Sequence, residues 1–156
     1  MKDTRSFESK SATLSLLNRR DLLKGSVAFF SSFPQCCRTP ELQPEAVRFD
    51  ARVLSVDLNK TDDLRRAGSA AAVVNMDRNL DIIIIRLSRH QFAALDRSCT
   101  HNGAQCTYDQ KRRTLRCTSL NHAEYDLKGT LLHGRTHGNL RAYEARLAGS
   151  ILEVRL

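Results

Sequence analysis

Tryptophan is absent from the 156-residue chain, aromatic residues make up only 6% of it, and no dense face of lysine and arginine or aromatic–basic motif occurs. A net charge of +8 therefore does not point to nucleic acid, and no nucleic-acid partner is expected. The charge is scattered: residues 1–30 hold six basic groups against three acidic ones, and the remainder is spread over a soluble surface. Proline is confined to Pro34, Pro40 and Pro44, a stretch that resists helix and strand alike and reads as a linker. A long hydrophobic run is missing too. The most apolar stretch of the N-terminus is broken by Ser26, Ser31 and Ser32 and is too short to span a bilayer unaided. There is no internal repeat and no low-complexity tract.

What the N-terminus does contain is NRRDLLKGSVAFFSSF, from Asn18 to Phe33. It resembles a twin-arginine export signal, with Arg19 and Arg20 opening the pattern and Leu23-Lys24 closing it. The alternative is a short amphipathic helix with Asp21 as N-cap. No small-x-small cleavage site precedes Pro34, and Gln35 before Cys36 is a poor lipid-attachment context, so an uncleaved membrane anchor and a lipid on Cys36 both stay open. The twin-arginine route carries proteins that fold, and often load a cofactor, before crossing. The resemblance thus implies a periplasmic location or one at the outer face of the cytoplasmic membrane, and a metal centre downstream. The expected organisation is a signal or anchor at 1–35, a linker at 36–46 and one domain at 47–156.

Within that domain the pattern is strand-like. AVRFDARVLSVDL alternates at Val47, Phe49, Ala51 and Val53 and then slips register, which predicts a bulge or a bend. DDLRRA is ambiguous and suits a helical turn before Gly68. The β-branched run of DIIIIRL, Ile82 to Ile85, suits a strand buried on both faces. Lys128-Gly129 and Ala148-Gly149-Ser150 separate apolar stretches as hairpin turns do. A small antiparallel all-β domain follows.

Three of the five cysteines and two of the five histidines fall in CTHNGAQCTYDQKRRTLRCTSLNHAEYD, residues 99–126. Cys99 and His101 stand two residues apart, and Cys117 and His122 form a second pair. Soft thiolates with imidazoles suit zinc or an iron–sulfur cluster, not a hard cation. A zinc knuckle draws two cysteines from one close pair. Here each loop brings one Cys and one His, which fits a [2Fe–2S] centre with two cysteines on one iron and two histidines on the other. TYDQKRRTLR between the loops predicts a hairpin that brings them together, and Gly103 lets the backbone pass close, its amide aimed at a sulfur.

These residues resemble the Rieske [2Fe–2S] domain family. CTHNG at 99–103 is similar to its C-T-H-x-G box, and CTSLNHAEYDLKG at 117–129 to its C-x2-H box with the aromatic-Asp step that follows. The resemblance implies a Rieske-like antiparallel β-sandwich with cluster-binding loops at one end, and Cys99, His101, Cys117 and His122 as ligands. The second box departs from the pattern: four residues separate Cys117 from His122. Counting back from Asp126 and Tyr125 puts Asn121 at the usual ligand position. His122 is preferred, because asparagine is a poor iron ligand and widening an exposed loop costs little closure entropy. Ala104 and Ser119 stand at or near the two extra cysteines that cytochrome bc Rieske proteins join as a disulfide, so Cys106 reads as a strand residue without a partner. Ala123 replaces a serine that bonds a sulfide, while Tyr125 retains a hydroxyl for a ligand cysteine. GRTHGNL at 134–140 takes the place of a cover loop, without its proline; His133 just before it and His137 within it are surface residues, supports behind the ligands or alternative ligands, and His90 is exposed.

The function implied is that of an exported electron-transfer protein or a subunit of a membrane-associated oxidoreductase. A redox protein partner, a cytochrome or a larger subunit, would dock at the histidine edge, and catalysis would reside in that partner. Two other readings stand beside it: a degenerate interaction module without a cluster, and a zinc domain using Cys99, His101, Cys117 and either Cys106 or His122.

Overall fold

The computed structural model describes residues 39–120 and 122–156; the twin-arginine-like segment, Cys36, Cys37 and Asn121 lie outside the described residues. Alternation of apolar and polar residues is realised as strands throughout, and the described residues hold no α-helix. The larger sheet contains β1 (Val47–Asp50), β2 (Val53–Asp57), β3 (Ala70–Asn75), β4 (Leu80–Arg86), β5 (Phe92–Asp96), β10 (Ala142–Ala148) and β11 (Ile151–Arg155), in the order β1-β2-β11-β10-β5-β4-β3. The smaller sheet contains β6 (Cys106–Asp109), β7 (Thr114–Cys117), β8 (Glu124–Tyr125) and β9 (Leu131–His133), in that order. Every strand pair is antiparallel.

One strand joins the halves of the larger sheet. β10 pairs with β5 through Ala142 and Tyr143, then with β11 from Glu144 to Ala148. The halves enclose a first core, in which Leu54, Val56, Leu152 and Val154 meet Ala71, Val73, Ile82, Ile84 and Ala94. The opposite faces of β4 and β5 carry Ile83, Ile85, Ala93 and Leu95, which pack on Leu115, Ala123, Tyr125 and the cysteines of the smaller sheet. The isoleucine run is thus buried on both faces, as its composition predicts. All four side chains are fully buried, each contributing about 1.5–3 kcal/mol of transfer free energy.

Both glycine turns close hairpins: Gly149 (φ 62°) follows the Ala148–Ile151 pair, and Gly129 (φ 85°) lies between β8 and β9. Where the alternation slips, the chain makes more than a bend. Ala51 (φ 41°) and Arg52 reverse it, pairing Asp50 with Val53, so the buried parity restarts at Leu54. DDLRRA forms turns in place of helix, because Arg86 reaches its carbonyls: Nη1 donates to Leu64 O (2.8 Å) and Arg65 O (3.2 Å).

Candidate metal centre

The first loop leaves β5 at a partly buried ion pair. Arg97 is 7% exposed, and its Nε and Nη2 donate to the two carboxylate oxygens of Asp81 at 2.6 and 3.1 Å. Its backbone is tied as well, since Arg97 N–H donates to Asp81 O and Cys106 N–H donates to Arg97 O, both at 2.7 Å. Cys99 and Cys106 therefore flank a fixed point on β4. Between them the chain turns tightly: Cys99 N–H donates to Ala104 O (2.8 Å) and Gly103 N–H to Cys99 O (2.9 Å). Gly103 is required for its φ of 73°, and its amide closes this turn.

The second loop leaves β7 at Cys117, directly opposite Cys106 across the β6–β7 hairpin that TYDQKRRTLR predicts. Cys117 N–H donates to Ala123 O (2.8 Å), which ties the loop's far end to its start. The cover loop presses on the same place. A side chain on Gly134 (φ 101°) would lie 2.7 Å from Ala123 Cα, so only glycine fits there.

The loops bring Cys99, Cys106 and Cys117 together, buried, free, and with their Sγ atoms all within 4.8 Å of one another. His101 Nδ1 lies 2.8 Å from Cys99 Sγ and 4.0 Å from Cys117 Sγ. Ser119 stands behind the ring, its Oγ 2.9 Å from His101 Nε2 and 3.1 Å from Cys117 Sγ. With Nε2–H donating to the serine and the serine donating to the sulfur, the Nδ1 lone pair faces the thiols, the tautomer a ligand needs. Tyr125 OH lies 3.2 Å from both Cys99 Sγ and Thr100 Oγ1, and Thr100 Oγ1 donates to Gly138 O (3.0 Å), binding the first loop to the cover loop.

Burial pushes the Cys99 thiol up, but hydrogen bonds from the Tyr125 hydroxyl and the His101 backbone, with His101 and Cys117 side chains beside it, bring it down from 9.0 to about 7. Cys106 goes the other way: burial first, then the charges of Cys99 and Cys117, push its thiol well up. Tyr125 is raised by burial and by its bond to Cys99.

His122 is exposed, with φ at 45° and its N–H donated to Ser119 O (3.0 Å). His90, His133 and His137 are exposed as well. A model of the Rieske [2Fe-2S] domain matches residues 55–144. The chain belongs to the Rieske [2Fe–2S] domain family. No curated protein matches the sequence. Among solved structures, the chain resembles the ferredoxin of carbazole 1,9a-dioxygenase from Nocardioides aromaticivorans IC177, at 19% identity over 67% of this chain and 95% of that one, with a TM-score of 0.51. It also resembles the cyanobacterial plasma membrane Rieske protein PetC3 from Synechocystis PCC 6803, at 20% identity over 56% of this chain and 86% of that one, with a TM-score of 0.49.

The donors fit a Rieske [2Fe–2S] cluster. Two thiols and an imidazole nitrogen from two loops converge, and no carboxylate joins the thiols among the described residues. Sequence reasoning passed over two supports of this Rieske site. Ser119 orients the His101 ring, and Thr100 anchors the loop; a hydroxyl two residues beyond a ligand cysteine, able to turn back on it, is the signal for Ser119.

Proposed function

We propose that the protein is an exported Rieske-type electron-transfer protein or a subunit of a membrane-associated oxidoreductase complex. Cys99 and Cys117 hold one iron of its [2Fe–2S] cluster, and His101 and His122 hold the other. The observation that carries this reading is the meeting of Cys99 Sγ, Cys117 Sγ and His101 Nδ1 at the ends of two loops. A bound cluster of this type supplies one-electron transfer. Ser119 holds the imidazole in its ligand tautomer, the Tyr125 hydroxyl stabilises negative charge on Cys99, and the packed face of β4 keeps water from the sulfurs.

The partner is a redox protein, and it docks where the second loop is exposed. Leu120 is 94% exposed and stands two residues before the exposed His122, giving an apolar tip beside a histidine edge. The structural likeness to a dioxygenase ferredoxin agrees with a carrier whose catalysis lies elsewhere. Arg19 and Arg20, with Leu23 and Lys24, support export.

Electron paramagnetic resonance of the reduced protein tests the ligands. His122→Ala is expected to abolish the Rieske signal and Asn121→Ala to leave it; the reverse result transfers the fourth ligand to Asn121's position. Protein from anaerobic, cluster-competent expression that carries no iron overturns the reading.

A further inference from the structure

Among the described cysteines, Cys106 is the one that electron transfer leaves unused. It is fully buried at the first position of β6, and its register partner is Cys117. Both backbone N–H groups point away from the pair, that of Cys106 to Arg97 O and that of Cys117 to Ala123 O. This is the antiparallel pairing in which facing side chains approach most closely. Cys99 completes the group, with all three Sγ within 4.8 Å of one another and His101 Nδ1 at 2.8 and 4.0 Å from two of them. A tetrahedral ion with metal–sulfur bonds of about 2.3 Å has sulfur–sulfur edges of ~3.8 Å and sulfur–nitrogen edges of ~3.5 Å. No sulfur–sulfur separation exceeds its edge by more than about 1 Å, and His101 Nδ1 brackets its own at 2.8 and 4.0 Å, so small side-chain shifts seat one ion at the centre.

We propose that in the chain without its iron–sulfur cluster, Cys99, Cys106 and Cys117 form a three-thiolate site for one soft divalent cation of the zinc class, with His101 as the fourth donor. Three cysteines and one histidine are a closed structural zinc set, and a hard cation would find no oxygen ligand among them. Binding releases three thiol protons and leaves a site of net charge −1. The ion and the cluster exclude each other, because both need Cys99, Cys117 and His101. The inference shares those residues with the proposed function but adds Cys106, which the cluster does not use.

The test uses the full chain with Cys36→Ser and Cys37→Ser, so that only three thiols remain, stripped of iron under reductant and titrated with Zn²⁺ and Co²⁺. One equivalent of zinc is expected, and the thiolate-to-cobalt absorption should count three thiolates. Cys106→Ala should weaken zinc binding by more than about 100-fold, beyond the ~10–100-fold typical of an outer-shell change, and reduce the count to two. Cys106→Val fills the buried strand position and is read in the same way if the alanine variant does not fold. A cobalt spectrum of two thiolates in the parent chain overturns the inference, as does zinc binding unchanged by either variant. Loss of iron, sulfide and the resonance signal from cluster-loaded Cys106→Ala also overturns it, since Cys106 would then hold the cluster itself. Failure of the electron-transfer reading shows separately, as a parent chain that never takes up iron and sulfide.

Discussion

The hydroxyl of Tyr125 has a single hydrogen and two neighbours, Cys99 Sγ and Thr100 Oγ1, each at 3.2 Å. Because Thr100 already donates to Gly138 O and a ligand thiolate has no hydrogen of its own, that hydrogen goes to the sulfur. A hydrogen bond to a ligand sulfur favours the reduced, more negative state and raises the reduction potential. Tyr125→Phe is therefore expected to lower it by roughly 40 mV, taking about 1 kcal/mol of differential bonding, measured by redox titration of the cluster-loaded protein. At this scale the sequence was informative about chemistry and silent about neighbours. Cys99, His101 and Tyr125 are recognisable because a short box keeps them at set spacings. Cys106 looks unpartnered along the chain, since its approach to Cys117 depends on where the Gln110–Arg113 turn closes the hairpin.

At the scale of elements, the first loop hangs from one ion pair. Arg97 side-chain and backbone bonds to Asp81 fix both ends of the segment that carries Cys99 and Cys106 onto β4, and Gln105 Nε2 adds a bond to Asp81 Oδ2 at 3.2 Å. Removing the guanidinium leaves the partly buried Asp81 carboxylate with only its Gln105 bond, so Arg97→Ala is expected to destabilise the fold by about 1–3 kcal/mol, read from urea denaturation. Hairpins were the legible elements. Gly129 and Gly149 announce theirs, because a positive φ is a local demand that a residue type can answer. The role of β10 was not legible, because sharing a strand between two half-sheets depends on partners far apart in the chain. The loop from Cys117 to Tyr125 lay between: its termini are set by pairing, while the residues from Ser119 to His122 allow two registers.

Among the described residues, three large hydrophobic side chains depart from an otherwise polar surface. Leu120 projects at the end where the cysteines meet, and the other large exposed hydrophobics, Met76 and Leu132, are 85% and 56% exposed. Docking through an apolar tip predicts that Leu120→Asp slows electron exchange with the redox partner at least tenfold, about 1.4 kcal/mol, while the resonance signal is unchanged. Stopped-flow mixing with the partner measures it; an unchanged rate moves the docking surface elsewhere. The four isoleucines of β4 give the same molecule a division of labour. Ile82 and Ile84 answer only to the frame, whereas Ile83 and Ile85 stand against the layer that holds the sulfurs. Substitutions of equal size on neighbouring residues of one strand should thus have different phenotypes, the even positions changing how long the protein survives and the odd ones changing the voltage at which it works.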